Sequence, residues 1–261
     1  MSTTEGLTAP KKRSVFGVGI SPVTAQSAVE ITIAAAKCRQ SFGVSALAVH
    51  GLMEAVRVPE AGAAVAKLHL VCCDGQPVRW ALHLLHGVEL PARVYGPDLM
   101  RALCARAAAD GVGIYLFGST EETCTKLVSA LEKSYTSIRI LGVQPDRFRE
   151  ATPEEDEADI AAMNASGAGL IFVGRGCPRQ EMWTAAHLGK VDAAIVAIGA
   201  AFDFLSGNKP QAPSWMQKRG LEWLFRLVDE PGRLWKRYLI TNSLYLFYLA
   251  RALLTSKSSG A

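Results

Sequence analysis

The sequence lacks the short motifs that mark several large enzyme classes. No G-x-G-x-x-G follows the first apolar run and no G-x-x-x-x-G-K-[ST] is present, which disfavours dinucleotide-binding and P-loop proteins. No D-x-D pair follows an apolar run, and the histidines and six cysteines show no paired metal-ligand spacing and no C-x-x-C. We therefore expect no bound metal and no cofactor, and reduced, packed cysteines as in a cytosolic protein.

Export signals and long apolar runs are also missing. No basic start leads into an apolar segment with a small-residue cleavage site, so we expect no export and a short disordered tail over residues 1–12. The most apolar stretch near the C-terminus, "LYLFYLARALL", is shorter than the roughly 20 residues that cross a bilayer, and it contains Arg251. With 49% hydrophobic and 20% charged residues, the chain can bury a sizeable core.

Short apolar runs alternate with longer helical patterns along most of the chain. Seven runs are too apolar for a sheet with one face in water and are predicted strands: 15–20, 44–49, 68–73, 113–119, 137–143, 169–174 and 193–199. Five segments are predicted helices: 24–40, 97–110, 120–134, 152–166 and 178–189. This alternation predicts an α/β fold, a Rossmann-like, doubly wound, mainly parallel sheet, over residues 13–214.

Ligands of such sheets bind beyond the carboxyl ends of the strands, so the residues that follow each apolar run are the candidates for a site. These residues are Asp74, Gly118, Ser119, Gly174, Gly176, Gln180, Glu181 and Asp203. Several of them could instead have a purely structural role. Asp74-Gly75 and Gly118-Ser119 are also ordinary turn sequences, and Asp203 could simply cap the segment that follows it.

The C-terminal segment, residues 215–256, differs in composition from the rest. Residues 215–261 carry eight Lys and Arg against three Asp and Glu, together with three of the five tryptophans and three of the six tyrosines. Helices are predicted over 214–229 and 230–254, the second of them amphipathic with Arg233 and Arg237 on one face. Such a helix could lie on an anionic membrane surface, or it could pack on its own core with a solvated basic face.

Several segments together resemble the WecG/TagA/CpsF glycosyltransferase family, also called glycosyltransferase family 26. They are "CCDGQPVRWALHLLHG", "RVYGPDLM", "YLFGS", "IFVGRGCPRQEMW" and "IGAAFDFLSGNKPQAPSWMQKRGLEWLFRLVDEPGRLWKRYL", within about residues 40 to 245. The resemblance implies an inverting bacterial enzyme that moves a sugar from a UDP-sugar to a polyprenyl-diphosphate-linked sugar. It implies a peripheral protein at the cytoplasmic face of the inner membrane, with no nucleic-acid partner and with homo-oligomers possible.

The resemblance also assigns roles to individual residues. Asp74 matches the general base that deprotonates the acceptor hydroxyl, and Gly176, Gln180 and Glu181 match the donor-pocket motif, together with Pro178 and Trp183. Asp203 matches an F-D motif, for which we expect a contact with ribose or sugar hydroxyls. Arg226, Arg233 and Arg237 match the arginines of a segment thought to close over the active site, where they would replace a metal at the departing diphosphate.

One segment departs from the common family pattern. A T-x-N sequence often precedes the D-G motif, whereas this chain reads "SALAVHGLMEAV" and places His50 there. This version looks most like the exopolysaccharide branch that includes the GumM-type enzyme, which implies UDP-glucose as donor and a β-1,4 linkage. UDP-N-acetylmannosamine or its uronic acid is the alternative, and His50 either contacts the substrate or replaces the motif structurally. A non-catalytic membrane scaffold is a further alternative, while an oxidoreductase or epimerase would need the missing glycine fingerprint.

Overall fold

The computed structural model describes residues 9–258, and the side chains of Arg233 and of residues 256–258 lie outside that description. Residues 1–8 of the predicted N-terminal tail also lie outside the described residues. The first described elements, β1 (Arg13–Val15) and β2 (Val18–Ile20), form an antiparallel hairpin. The prediction of a single strand over 15–20 was wrong, because Phe16 and Gly17 both adopt positive φ angles and turn the chain.

The other six predicted strands form one parallel sheet. They are β3 (Phe42–Leu47), β4 (Leu70–Cys73), β5 (Gly113–Gly118), β6 (Arg139–Gln144), β7 (Leu170–Gly174) and β8 (Ala194–Ala197), in the order β4-β3-β8-β7-β5-β6. The chain runs from β3 out to the edge at β4, crosses to β5 and β6 at the opposite edge, and returns through β7 and β8. This reversal beside β3 creates a crevice at the carboxyl ends of the strands.

Helices cover both faces of the sheet, as the wholly buried strands β4, β5 and β8 require. The five predicted helices are confirmed as α1 (Ala25–Lys37), α5 (Gly96–Asp110), α6 (Glu121–Ser134), α7 (Pro153–Ala165) and α8 (Arg179–His187). The helix α7 begins with a capping box formed by Thr152 and Glu155. The fold class is therefore the predicted α/β, doubly wound type.

Four further helices were not predicted: α2 (Val49–Arg57), α3 (Pro59–Lys67), α4 (Gln76–His86) and the short α9 (Ala201–Leu205). The helix α2 begins at Val49, the last residue of the second predicted strand (44–49), and β3 ends at Leu47. The helices α2 and α3 make the crossover from β3 to β4, and α4 follows β4. Three of these helices, α2, α4 and α9, thus begin at the carboxyl end of the sheet and contribute to the crevice.

The C-terminal segment folds as α10 (Ser214–Lys218), α11 (Glu222–Asp229) and α12 (Pro231–Ser258). The predicted helix over 214–229 is interrupted at Gly220, which has a positive φ angle and packs against Trp80. The helix α12 packs on α2 and α4 through buried residues, of which Tyr245 donates a hydrogen bond of 2.6 Å to the carbonyl of Pro77. None of the helices in the described residues is both long and apolar enough to cross a membrane.

Candidate functional site

A cavity of about 370 Å³ lies at the carboxyl ends of the strands. Its floor comes from the segments that follow β3, β4, β7 and β8, and α11 and α12 form its roof. Ten predicted site residues line it: His50, Asp74, Ser119, Gly174, Gly176, Gln180, Glu181, Asp203, Arg226 and Arg237. Gly118 is outside the lining, and the side chain of Arg233 is outside the described residues.

Asp74 stands at the end of β4, deep in the cavity. Its backbone N–H donates to the carbonyl of Leu47 at 3.2 Å, and its Oδ1 accepts a hydrogen bond of 3.1 Å from the backbone N–H of Gly96, in the first turn of α5. Burial raises the pKa of Asp74 to about 7, and the charge of Glu222 acts in the same direction against Arg93, Arg226 and the Gly96 hydrogen bond. A carboxyl group poised near neutral pH suits general base catalysis.

Three residues that were not predicted individually surround Asp74. Arg93 forms an ion pair of 2.5 Å with Glu222, and its guanidinium lies 4.2 Å from the centre of the Tyr95 ring. The hydroxyl of Tyr95 donates to the other oxygen of Glu222 at 3.1 Å. Burial, followed by the charges of Glu222 and Asp74, raises the pKa of Tyr95, so the phenol keeps its proton at neutral pH. The segment "RVYGPDLM" contains Arg93 and Tyr95, but nothing in it pointed to Glu222.

Gln180 and Glu181 lie at the start of α8 and are almost fully buried. Oε1 of Glu181 accepts hydrogen bonds from Ser45 Oγ at 3.0 Å and Gln180 Nε2 at 2.9 Å. Burial raises the pKa of Glu181 against these bonds. Within the described part of the chain, Oε2 of Glu181 and Oε1 of Gln180 have no hydrogen-bond partner. Buried polar atoms are normally paired, so these two oxygens mark a place in the cavity wall where a polar partner is missing.

Gly118 and Ser119 end β5 in an unusual conformation. Gly118 has a φ of 118°, and a Cβ atom there would lie 2.6 Å from the carbonyl carbon of Gly174. Ser119 has a φ of 60° and donates its N–H to the carbonyl of Gly174 at 2.9 Å. The glycine at position 118 is therefore explained by the close approach of β5 to β7, whereas Ser119 itself lines the cavity.

Asp203 lies on α9, at the rim of the cavity. The neighbouring Phe202 and Phe204 are buried, and they anchor the helix. The carboxylate of Asp203 pairs with Lys209 at 3.3 Å, and Lys209 also pairs with Glu230 at 2.9 Å. Lys209 therefore links Asp203 to Glu230 of the C-terminal segment.

The roof of the cavity carries positive charge. Arg226 of α11 lies 5.6 Å from the centre of the Phe204 ring, and Arg237 of α12 lies close enough to His50 to affect its ionisation. Burial, and then Arg237, lower the pKa of His50, which outweighs the opposite effect of Glu54. His50 is therefore a neutral ring at neutral pH, able to donate and to accept hydrogen bonds.

Two further features bear on the predicted chemistry. Trp183, a member of the predicted donor-pocket motif, stacks on His187 with ring centres 3.9 Å apart and lies in the core rather than in the cavity lining. Within residues 9–258, no group of three or more His, Cys, Asp or Glu residues is arranged to hold a metal ion.

Comparison with known families agrees with the geometry of the cavity. The model of the family described as "Glycosyl transferase WecG/TagA/CpsF family" matches residues 13–259, which is nearly the whole chain and includes the floor and the roof of the cavity. A crevice that holds a carboxyl group poised near neutral pH together with two arginines suits transfer of a sugar from an anionic leaving group. The chain belongs to the WecG/TagA/CpsF family and is a glycosyltransferase.

Proposed function

We propose that this protein is an inverting transferase that moves glucose from UDP-glucose to a polyprenyl-diphosphate-linked saccharide, forming a β-1,4 linkage in bacterial exopolysaccharide assembly. The observation that carries the proposal is the placement of Asp74 in the floor of the cavity beneath Arg226 and Arg237 of the roof. An inverting transfer needs a base on the acceptor side and positive charge at the leaving diphosphate. These three residues supply both.

In the proposed reaction, Asp74 takes the proton of the acceptor hydroxyl as the acceptor oxygen attacks the anomeric carbon. The new C–O bond forms on the face opposite the departing group, and the bond between the anomeric carbon and the diphosphate oxygen breaks. The electron pair leaves with UDP, whose growing negative charge is stabilised by Arg226 and Arg237. The guanidinium fork matches phosphate oxygens, so arginine takes the place of a metal ion and the transfer proceeds without one.

The donor sugar and ribose are proposed to bind between α8 and α9. The unpartnered oxygens of Gln180 and Glu181 are the acceptors for sugar hydroxyls, and Asp203 accepts from the ribose. Gly176 has open space where a Cβ atom would lie and leaves the backbone open for the nucleotide to approach, while Ser119 and Gly174 also line the cavity.

His50 is the residue proposed to favour glucose over an N-acetylated sugar. The ring lines the cavity and occupies the segment where the family often carries T-x-N. A neutral imidazole can hydrogen bond to a sugar hydroxyl in either direction. If UDP-N-acetylmannosamine or its uronic acid is the donor, the same position has to accommodate the acetamido group.

The helix α12 is proposed to rest on the cytoplasmic face of the inner membrane, as part of a closing segment over residues 215–256. Large apolar side chains are exposed along it, including Leu246 at 63% and Phe247 at 60%. Lys236 and Arg251 lie on the same helix and suit anionic headgroups. This placement would bring the lipid-linked acceptor to the roof of the cavity. We propose no nucleic-acid partner.

Transfer of radiolabelled sugar tests the proposal directly. UDP-glucose and UDP-N-acetylmannosamine are each offered with a glucosyl-diphosphate-polyprenol analogue in detergent, with and without EDTA. We expect glucose transfer that survives EDTA, and its loss in Asp74→Asn with UDP binding retained. Transfer only from the N-acetylated donor would select the alternative substrate. UDP binding without transfer from either donor would favour a non-catalytic scaffold.

A further inference from the structure

Glu222 is a buried carboxylate that the proposed reaction does not use. It lies at the start of α11, is only 9% exposed, and lines the same cavity as Asp74. Both of its oxygens are engaged, one with Arg93 at 2.5 Å and the other with Tyr95 at 3.1 Å. Each of these partners comes from the segment between α4 and α5, so Glu222 joins the C-terminal segment to the floor of the site.

The charged and titratable groups around Asp74 come from three directions. Cys72 and Cys73 precede it on β4, Arg93 and Tyr95 approach from the segment before α5, and Glu222 and Arg226 approach from α11. Among them, Arg93 is the cation with the largest effect on Asp74, and Glu222 is the carboxylate that opposes it. Arg93 thus pairs directly with Glu222 and acts through its charge on Asp74, which lines the same cavity.

We infer that Glu222 is a positioning residue: it holds Arg93 on the side of α11 and thereby keeps the Asp74 carboxyl group competent as a base. This inference rests on the proposed function. A carboxylate paired with arginine is a weak base, because the cation stabilises the ionised form and opposes uptake of a proton. With Glu222 in place, the Arg93 charge is balanced by another acid, and Asp74 retains its affinity for a proton.

The same contacts couple the fold of the C-terminal segment to the chemistry. When α11 is docked, Glu222 brings a negative charge next to Arg93 in a buried environment. If α11 moved away, Arg93 would lose that partner and its charge would act on Asp74 without the opposing charge of Glu222. The docked segment therefore both completes the roof and sets the strength of the base.

The test is a pH titration of the Asp74 carboxyl group that is monitored by ¹³C NMR. It compares the full-length original protein with the full-length Glu222→Gln variant. Glutamine keeps the shape and the hydrogen-bonding oxygen but removes the charge. We expect the midpoint for Asp74 to fall by about one pH unit, the lower end of the range for charges within a few ångströms. The acidic limb of the kcat/KM profile should move by the same amount.

Matched variants separate a charge effect from loosening of the helix. Asp229→Asn removes an exposed acid from the same helix and should leave the titration unchanged. Tyr95→Phe removes one hydrogen bond to Glu222 and keeps every charge, so it should shift Asp74 far less than Glu222→Gln does. Glu222→Asp keeps the charge on a shorter side chain, so its Asp74 midpoint should lie between those of Glu222→Gln and the original chain. This variant also provides a measurement at position 222 if Glu222→Gln fails to fold.

An Arg93→Gln background shows whether Glu222 acts through Arg93. There, adding Glu222→Gln should move the Asp74 midpoint by less than half of its effect in the original chain. An equal shift in both backgrounds, no shift in Glu222→Gln, or the same shift in Asp229→Asn would overturn the inference. The titration needs no turnover, so an expected shift in a protein that transfers no sugar would refute the proposed function and leave the coupling of Glu222, Arg93 and Asp74 established.

Discussion

Replacing Asp74 by asparagine should abolish transfer and stabilise the protein at the same time. Asparagine keeps an oxygen that can accept the hydrogen bond from the Gly96 N–H, so the local geometry should survive. It cannot take a proton from the acceptor at neutral pH, so we expect transfer to fall by about 10² to 10⁴-fold, the usual contribution of a general base. UDP binding should be retained, because the base acts on the acceptor.

The stability gain follows from the raised pKa of Asp74. Its folded value of about 7 exceeds its ordinary value of 3.8, so the folded protein binds this proton more tightly than the unfolded chain does. The associated stability is present below about pH 4 and is lost as the pH rises to about 7, at about 1.4 kcal/mol per pH unit. At pH 8, Asp74→Asn should therefore be more stable than the original chain by as much as about 4 kcal/mol.

Denaturant unfolding at pH 4 and pH 8, with transfer measured on the same preparations, checks both effects. The gain at pH 8 should nearly vanish at pH 4. Asp98→Asn is the control, since Asp98 is an exposed carboxylate on α5 and should change stability by less than about 0.5 kcal/mol at either pH. Transfer near the original rate would remove Asp74 as the base. Lower stability at pH 8 would refute the account of the buried carboxylate.

Three other changes have expected outcomes. Gly118→Ala should lower the free energy of unfolding by more than about 2 kcal/mol, because the new Cβ atom would collide with the backbone of β7. Gly111→Ala has open space at its Cβ position and should lower it by only about 1 kcal/mol in the same denaturant titration. Arg237→Ala should lower kcat by about 10² to 10³-fold, with partial recovery in Arg237→Lys, and an effect confined to the donor KM would argue against stabilisation of the leaving group. Phe247→Ser should weaken sedimentation with anionic vesicles while leaving the unfolding midpoint in place, and unchanged sedimentation would show that this face of α12 does not meet the lipid.

The sheet was largely predictable because its strands are buried on both faces and read as continuous apolar runs. The exception, the run over 15–20, is equally apolar, but Gly17 permits a turn that composition alone does not reveal. The helices α2, α3 and α4 were missed for a different reason. Proline stands at the start of α3 and in the first turn of α4, where it is tolerated, and the preceding strand-like residues obscured where α2 begins.

The floor of the site was predictable because the residues after parallel strands meet at one edge of the sheet. The partners of Asp74 were not, since Glu222 is 148 positions further along the chain and only the docking of α11 brings it near. The break in the predicted helix over 214–229 has the same origin. Gly220 takes its positive φ angle beside Trp80 of α4, where a Cβ atom would crowd the indole ring, and this tertiary packing is absent from any local pattern.

The order of the strands has a consequence for how the chain folds while it is being synthesised on the ribosome. The centre of the sheet pairs Val44 of β3 with Val196 of β8, so this pairing cannot form until about three quarters of the chain has been synthesised. Until then, the β3–β4 pair and the group of β6, β5 and β7 are separate, and the edges of β3 and β7 that face β8 expose unpaired backbone groups to neighbouring nascent chains. Messages truncated before β8 should therefore yield aggregated product, and chaperone demand should be highest while residues 145–195 emerge.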